Sequence, residues 1–314
     1  MVLQVNRNTE EKLESELKQS KIQDSPSEEE IKAIQKGLAE YNKNFPSGEL
    51  DIPTPDISLI LKDKDDNIVG GVITSMLIGI MHLETFWVDE KLRGRGLGRD
   101  LVLEAERLGQ QKGYPATQTW TFSFQAPEFY QSVGYKIIGV FEGYCNNVTE
   151  YVLSKKFTEN NLKPSTKDEL KKRGFTIIED KSKESMTAIH EGLRGYMSKT
   201  VGNLRKKHPE TSINLVLKNE TNKVIGGLLA FTTLKAVNFE CIWIDEHYRN
   251  NGYGKKLLKT AEGIALKNEC QSILVMVYSF QSLEFFQKHG YEIFGFSDSY
   301  PDSIKEYFLI KWLQ

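Results

Sequence analysis

Residues Trp87-Val-Asp-Glu-Lys-Leu-Arg-Gly-Arg-Gly-Leu-Gly-Arg99 return, changed but recognisable, as Trp243-Ile-Asp-Glu-His-Tyr-Arg-Asn-Asn-Gly-Tyr-Gly-Lys255. In both stretches a strand-like apolar run, His82 to Val88 or Phe239 to Ile244, ends in a turn containing glycine. A helical pattern follows, from about Gly96 to Lys112 and from Gly252 to Lys267. Glycine reaches backbone conformations closed to other residues and lets a ligand come close. The first turn of a helix offers unpaired N–H groups and the positive end of its dipole, and a diphosphate fits there. Arginine and lysine side chains in the turn would add charge-assisted bonds to phosphate oxygens. A tight turn whose glycines serve geometry alone is the alternative for either stretch taken singly. Two other phosphate-binding patterns fail: a dinucleotide fingerprint needs glycine where Arg99 stands, and a P-loop needs Gly-Lys-Ser/Thr at its end.

The two stretches lie 156 positions apart, and the same ungapped shift carries Glu106, Ser123, Phe129, Gly134, Tyr135, Tyr144 and Lys155 onto Glu262, Ser279, Phe285, Gly290, Tyr291, Tyr300 and Lys311. Gly70-Gly71 falls on Gly226-Gly227, while Leu38 and Tyr41 match Leu193 and Tyr196 after a slip of one residue. So many coincidences in one register mean duplication. The expected organisation is two domains, residues 1–160 and 161–314, joined through the polar stretch Thr158 to Lys167. Within each copy helical and extended periodicities alternate, which indicates a mixed α/β domain. Glu28 to Asn44 reads as an amphipathic helix with Ile31, Ile34, Leu38 and Tyr41 on one face. Ile57 to Leu61 with Val69 to Ile78, and Ile213 to Ala230, read as hairpins. Gln118 to Phe122 and Ile273 to Tyr278 read as strands, followed by short helices from Ala126 to Val133 and Ser282 to His289.

A formal net charge of -2 argues against the broad basic surface that nucleic-acid binding requires. No apolar run approaches the roughly 20 residues of a membrane span, and the glutamates at 10, 11 and 14 are unlike a signal peptide. The expectation is a cytoplasmic protein. Cys145, Cys241 and Cys270 are odd in number and lack paired spacing, so they read as buried small apolar residues. Five scattered histidines give His82 and Glu84 no third ligand, so no metal site is expected.

With both copies laid out, the chain resembles the GNAT superfamily of N-acetyltransferases. The family signature R/Q-x-x-G-x-G/A is matched by Arg93-x-x-Gly96-x-Gly98 and by Arg249-x-x-Gly252-x-Gly254. A later family element appears as Ala126-Pro-Glu-Phe-Tyr130-Gln-Ser-Val-Gly134-Tyr135 and as Ser282-Leu-Glu-Phe-Phe286-Gln-Lys-His-Gly290-Tyr291. The fold implied is α/β (α+β): two tandem acyl-CoA N-acyltransferase domains, each a mixed, mostly antiparallel, splayed sheet flanked by helices. The cofactor implied is acetyl-CoA. By resemblance, backbone groups of Phe86, Trp87 and Val88 hold the pantetheine arm, and the backbone of Arg93, Gly94, Arg95, Gly96, Leu97, Gly98 and Arg99 holds the diphosphate. The second copy offers Ile242, Trp243 and Ile244, then Arg249, Asn250, Asn251, Gly252, Tyr253, Gly254 and Lys255. Where family members usually carry Asn, both copies have serine, Ser123 and Ser279.

Attack by an amine needs a neutral nitrogen, yet an alkylamine of pKa near 10.4 is protonated at neutral pH. Glu84 and its counterpart Glu240 are the candidate bases, with a solvated strand carboxylate as the alternative; alternation places Glu84 on the face of His82, Phe86 and Val88. Tyr130 matches the family position that serves the departing thiolate; Phe286, in the second copy, has no proton to give. The expected activity is acetyl transfer from acetyl-CoA to a primary amine of a small molecule or peptide, with the first copy the better catalyst. The alternative is a non-catalytic acyl-CoA-binding or scaffolding protein. The duplication implies a monomer with an internal pseudo-dimer, or a homodimer.

Overall fold

The computed structural model describes residues 20–45, 55–157 and 163–314. The boundary placed between 160 and 161, and the glutamates at 10, 11 and 14, lie outside the described residues. In chain order the elements of the first half are β1 (Lys21–Asp24), α1 (Glu28–Asn42), β2 (Pro55–Asp63), β3 (Ile68–Leu77), β4 (Ile80–Val88), α2 (Leu97–Gln111), β5 (Ala116–Phe122), α3 (Pro127–Ser132), β6 (Lys136–Phe141) and β7 (Glu150–Lys156). The second half adds α4 (Lys167–Lys172), β8 (Phe175–Glu179), α5 (Lys183–Lys207), β9 (Leu215–Lys218), β10 (Val224–Thr233), β11 (Ala236–Ile244), α6 (Tyr253–Lys267), β12 (Ser272–Tyr278), α7 (Leu283–Lys288), β13 (Glu292–Ser297) and β14 (Glu306–Trp312).

Among the described residues these strands form one sheet in the order β1-β9-β10-β11-β12-β14-β13-β6-β7-β5-β4-β3-β2-β8. The halves meet at its centre, where β13 touches β6 through Gly295 opposite Gly139. A Cβ on Gly295 would stand 2.6 Å from the Gly139 Cα, so this approach of two backbones depends on Gly295. Within each half the pairing is antiparallel except β4 with β5 and β11 with β12. Those parallel pairs are short: β4 leaves β5 after Leu83 opposite Thr119, and β11 leaves β12 after Phe239 opposite Val275. Beyond these points each sheet splays, leaving strand edges from Glu84 and from Glu240 without a neighbour on that side.

The arms that open the two repeats are exchanged. β1 pairs with β9 in the second half, while β8 pairs with β2 in the first. Helix α1 starts at a capping box formed by Ser27 and Glu30 and buries Ile34 against Val216, Leu229 and Cys241 of the second half. Helix α5 mirrors it, burying Ile189 against Ile60 and Ile73 of the first. At both seams a tryptophan ring lies under a helix glycine: Trp87 under Gly192 and Trp243 under Gly37, with no space for a Cβ at either glycine. Gly192→Val should therefore cost about 1–3 kcal/mol by overpacking, read as a lowered melting temperature; an unchanged one would show that the seam yields freely.

The first-half core packs α2 and α3 on the sheet through Leu59, Leu61, Val72, Met81, Leu83, Leu101, Val102 and Tyr130, and the second half repeats it around Leu215, Leu228, Phe239, Leu257, Leu258 and Phe286. Beneath each α3-like helix runs an ion pair, buried in the first half and partly exposed in the second. Lys155 Nζ reaches Glu106 at 2.5 Å and the Val133 carbonyl at 2.8 Å; Lys311 Nζ reaches Glu262 at 2.7 Å and the His289 carbonyl at 2.8 Å. All three cysteines are free and buried.

Candidate active site

The turn between β4 and α2 adopts the expected geometry. Gly96 occupies the N-cap of α2 with φ +78°, Gly252 the N-cap of α6 with φ +79°, and neither cap makes a side-chain bond. Asn250 holds φ +64° where the first copy has Gly94 at +74°, a conformation asparagine tolerates. Helical bonding begins when the Asp100 amide donates to the Gly96 carbonyl at 3.0 Å. Among the described residues the amides of Gly94 to Arg99 find no hydrogen-bond acceptor, so they are available to an anion. Gly98 lets α2 sit close to the strand: a Cβ there would be 3.0 Å from the Phe86 ring. Phe86 stacks on Phe129 with centroids 5.2 Å apart.

The cations of the turn divide. Arg93 turns back: its Nε donates to the Val88 carbonyl at 3.1 Å and its guanidinium lies 4.6 Å from the Tyr196 ring centre. Arg249 does the same with Ile244 and Tyr41. These side chains, expected at phosphates, instead lock the strand end to the exchanged helix. Tyr196 also donates to the Phe124 carbonyl at 2.6 Å, so α5 grips the loop that follows β5. Trp87 and Trp243 are seam residues in the helix-to-sheet core. Ser123 and Ser279 each accept a backbone amide, from Thr149 and Lys305, at 3.2 Å; both hydroxyls pin the loop after the splayed strand.

Glu84 sits at a β-bulge. The β3–β4 register shifts between Ile73 opposite Thr85 and Thr74 opposite Leu83, and the extra residue resets the alternation. Phe86 and Val88 therefore pack on the α2 side, while the exposed Glu84 accepts from the Ser75 hydroxyl at 2.5 Å. Ser75 lies opposite His82, so Glu84 shares the face of His82 but not that of Phe86 and Val88, contrary to strict alternation. Beside it, Thr85 Oγ1 lies 3.4 Å from Nδ1 of His190 on α5. Glu240 occupies the equivalent bulge, with Phe231 at the position of Ser75 and partial burial raising its carboxyl pKa. Burial also lowers His82 to about 4, which keeps that ring neutral.

Tyr130 is 6 % exposed, enclosed by Phe86, Phe129 and Tyr135. Burial pushes its phenol up to about 12, opposed by a hydrogen bond with Thr119. In the second copy Phe286 is buried in the same place, and Val275 stands where Thr119 does. Two hydroxyls have been replaced together by two apolar groups, a change sequence comparison of the copies could have revealed beside the Tyr130 difference.

Across the splay, Tyr144 donates to Glu150 at 2.8 Å, as Tyr300 donates to Glu306. Burial pushes Glu150 from 4.5 up to about 7. A carboxyl whose native pKa is raised contributes stability that is complete below its unfolded value and is lost as pH rises through the native one. Glu150→Gln should accordingly gain stability on wild type between about pH 4.5 and 7; a difference in melting temperature independent of pH would contradict this.

Two family models match the chain: one described as the acetyltransferase (GNAT) domain over residues 55–137 and one as the acetyltransferase (GNAT) family over 178–291. The chain belongs to the GNAT acetyltransferases. A stretch of this GNAT chain is similar to a blasticidin-S acetyltransferase of Streptomyces morookaense, 36% identical over 89 residues that make up 28% of this chain and 65% of that protein. An acetyltransferase of Agrobacterium fabrum is 25% identical over 121 residues, 38% of this chain and 85% of its own length. The crystal structure of an acetyltransferase from Bacillus cereus is 34% identical, covering 43% of this chain and 96% of that one with a TM-score of 0.41. Among the described residues of this GNAT chain no helix is long and apolar enough to cross a membrane.

Proposed function

We propose that the first half of the chain transfers the acetyl group of acetyl-CoA to a primary amine by direct attack, and that the second half retains a coenzyme turn without equal catalytic equipment. The observation that carries this reading is the row of unpartnered amides from Gly94 to Arg99 beside a splayed strand bearing Glu84, with Tyr130 at its base. The site fits the coenzyme: those amides suit its diphosphate, and the open β4 edge from Phe86 to Val88 suits a pantetheine amide. Bound acetyl-CoA supplies an acetyl thioester. Glu84, exposed and held by Ser75, takes the proton that an ammonium must lose before its nitrogen can attack. Tyr130 keeps its proton throughout the neutral range. A phenol at about 12 is a weaker acid than an ordinary thiol near 8.5, so Tyr130 acts by hydrogen-bonding the departing sulfur.

The second half offers Phe286 and Val275 at the corresponding place, which favours a binding or structural role there. The likeness to a blasticidin-S acetyltransferase makes a small-molecule amine a reasonable acceptor; a peptide amine is the other class. The domain limits near 160 and a cytoplasmic location belong to the same reading. Thiol release from acetyl-CoA, measured with blasticidin S, polyamines and peptides with a free N-terminus, tests it. Amine-dependent release by at least one acceptor class supports it, and coenzyme binding without release for any would favour the scaffolding alternative.

A further inference from the structure

Beside the first turn lies a groove of about 390 Å³ formed where the start of the second half docks onto α2. Four cations line it: Arg95 and Arg99 from the turn, Lys163 from the connecting segment and Arg173 from the end of α4. Its two carboxylates are already engaged. Glu169 accepts from the Thr166 amide at 2.7 Å and hydroxyl at 2.9 Å. Asp100 accepts from the Ser165 amide at 2.9 Å and from Arg173 Nη1 at 2.9 Å, while Arg173 Nη2 donates to the Arg95 carbonyl at 2.5 Å. Asp100 thus anchors the second half's segment, and Arg173 cancels a negative charge that would otherwise repel phosphate. The remaining guanidinium and ammonium donors face an open, positively charged space.

We propose that this groove binds the ribose 3′-phosphate of coenzyme A at the first turn, so that the second repeat contributes coenzyme selectivity to the first. The inference rests on the reading that the turn holds the diphosphate. Among the described residues, the second turn carries a different set of groups. There Asn251 stands for Arg95 and donates its side-chain amide to the Tyr248 and Arg249 carbonyls, and Lys256 stands for Asp100, a charge that would repel an arginine rather than anchor it.

The test is titration of the full chain with CoA and with dephospho-CoA, combined with hydrogen exchange to assign binding to the first turn through protection of residues 94 to 99. Wild type should prefer CoA there by about tenfold, the worth of one charge-assisted contact, and CoA alone should protect residues 163 to 173. Lys163→Ala should cut the preference several-fold without weakening dephospho-CoA, and Arg173→Lys should do so while keeping the segment's charge. Equal affinity for the two ligands at the first turn, or a preference untouched by both variants, overturns the groove while leaving the diphosphate site intact. Failure of both ligands to bind overturns the diphosphate reading itself.

Discussion

Tyr130→Phe should lower kcat on the best acceptor about 10²-fold or more with coenzyme affinity and melting temperature nearly unchanged. The second half already shows that the pocket accepts a phenylalanine: Phe286 is buried in the matching core with Val275 beside it. Removing the phenol therefore deletes one hydrogen-bond donor to the departing sulfur and little packing. The companion change Thr119→Val, which removes the Tyr130 partner, should cost less, because the phenol remains. Steady-state kinetics and coenzyme titration on the two variants decide the matter. A Tyr130→Phe enzyme with full turnover would remove Tyr130 from the chemistry and leave Glu84 as the sole candidate acting group.

The largest expected loss of stability follows Lys155→Met. Lys155 and Glu106 are 7% and 2% exposed, and desolvation raises the Glu106 carboxyl pKa. Without its partner, Glu106 must hold an uncompensated charge or take up a proton, and the Val133 carbonyl loses its donor. Breaking one side of such a pair costs about 3–5 kcal/mol. Glu106→Gln combined with Lys155→Met should recover part of that loss, since no buried charge remains. The equivalent Lys311→Met should cost less, because Lys311 and Glu262 are 23% and 16% exposed and water screens what is left. Chemical denaturation of the three variants measures these differences; equal losses at Lys155 and Lys311 would contradict the dependence on burial.

Much of this was legible in the sequence because each signal was local. Glycines at 96 and 252 announce a left-handed N-cap, and the helices after them begin within one residue of the expected position. The splay followed from resemblance, and the structure shows its cause in parallel pairing that stops at Leu83 and Phe239. Two features escaped. A one-residue bulge at Glu84 reverses the face on which later side chains emerge, and no pattern of alternation predicts where an extra residue will fall. The exchanged arms were invisible for a different reason. The apolar stripe of α5 through Ile189 and Gly192 says which face is buried but not whose sheet covers it, and α1 presents nearly the same stripe through Ile34 and Gly37. Because the two sheets are copies, each arm fits either one. The exchange explains why Arg93, expected at a phosphate, lies against Tyr196 of the other repeat, and why Arg173, remote in sequence, stands at the first turn.

The claim beneath all of this is that main-chain amides opening α2 hold the coenzyme's diphosphate. A crystal structure of the chain with acetyl-CoA measures it most directly. Phosphate oxygens about 2.7–3.2 Å from amide nitrogens between Gly94 and Arg99 are the predicted result. A coenzyme bound elsewhere, with those amides turned to solvent, would contradict it.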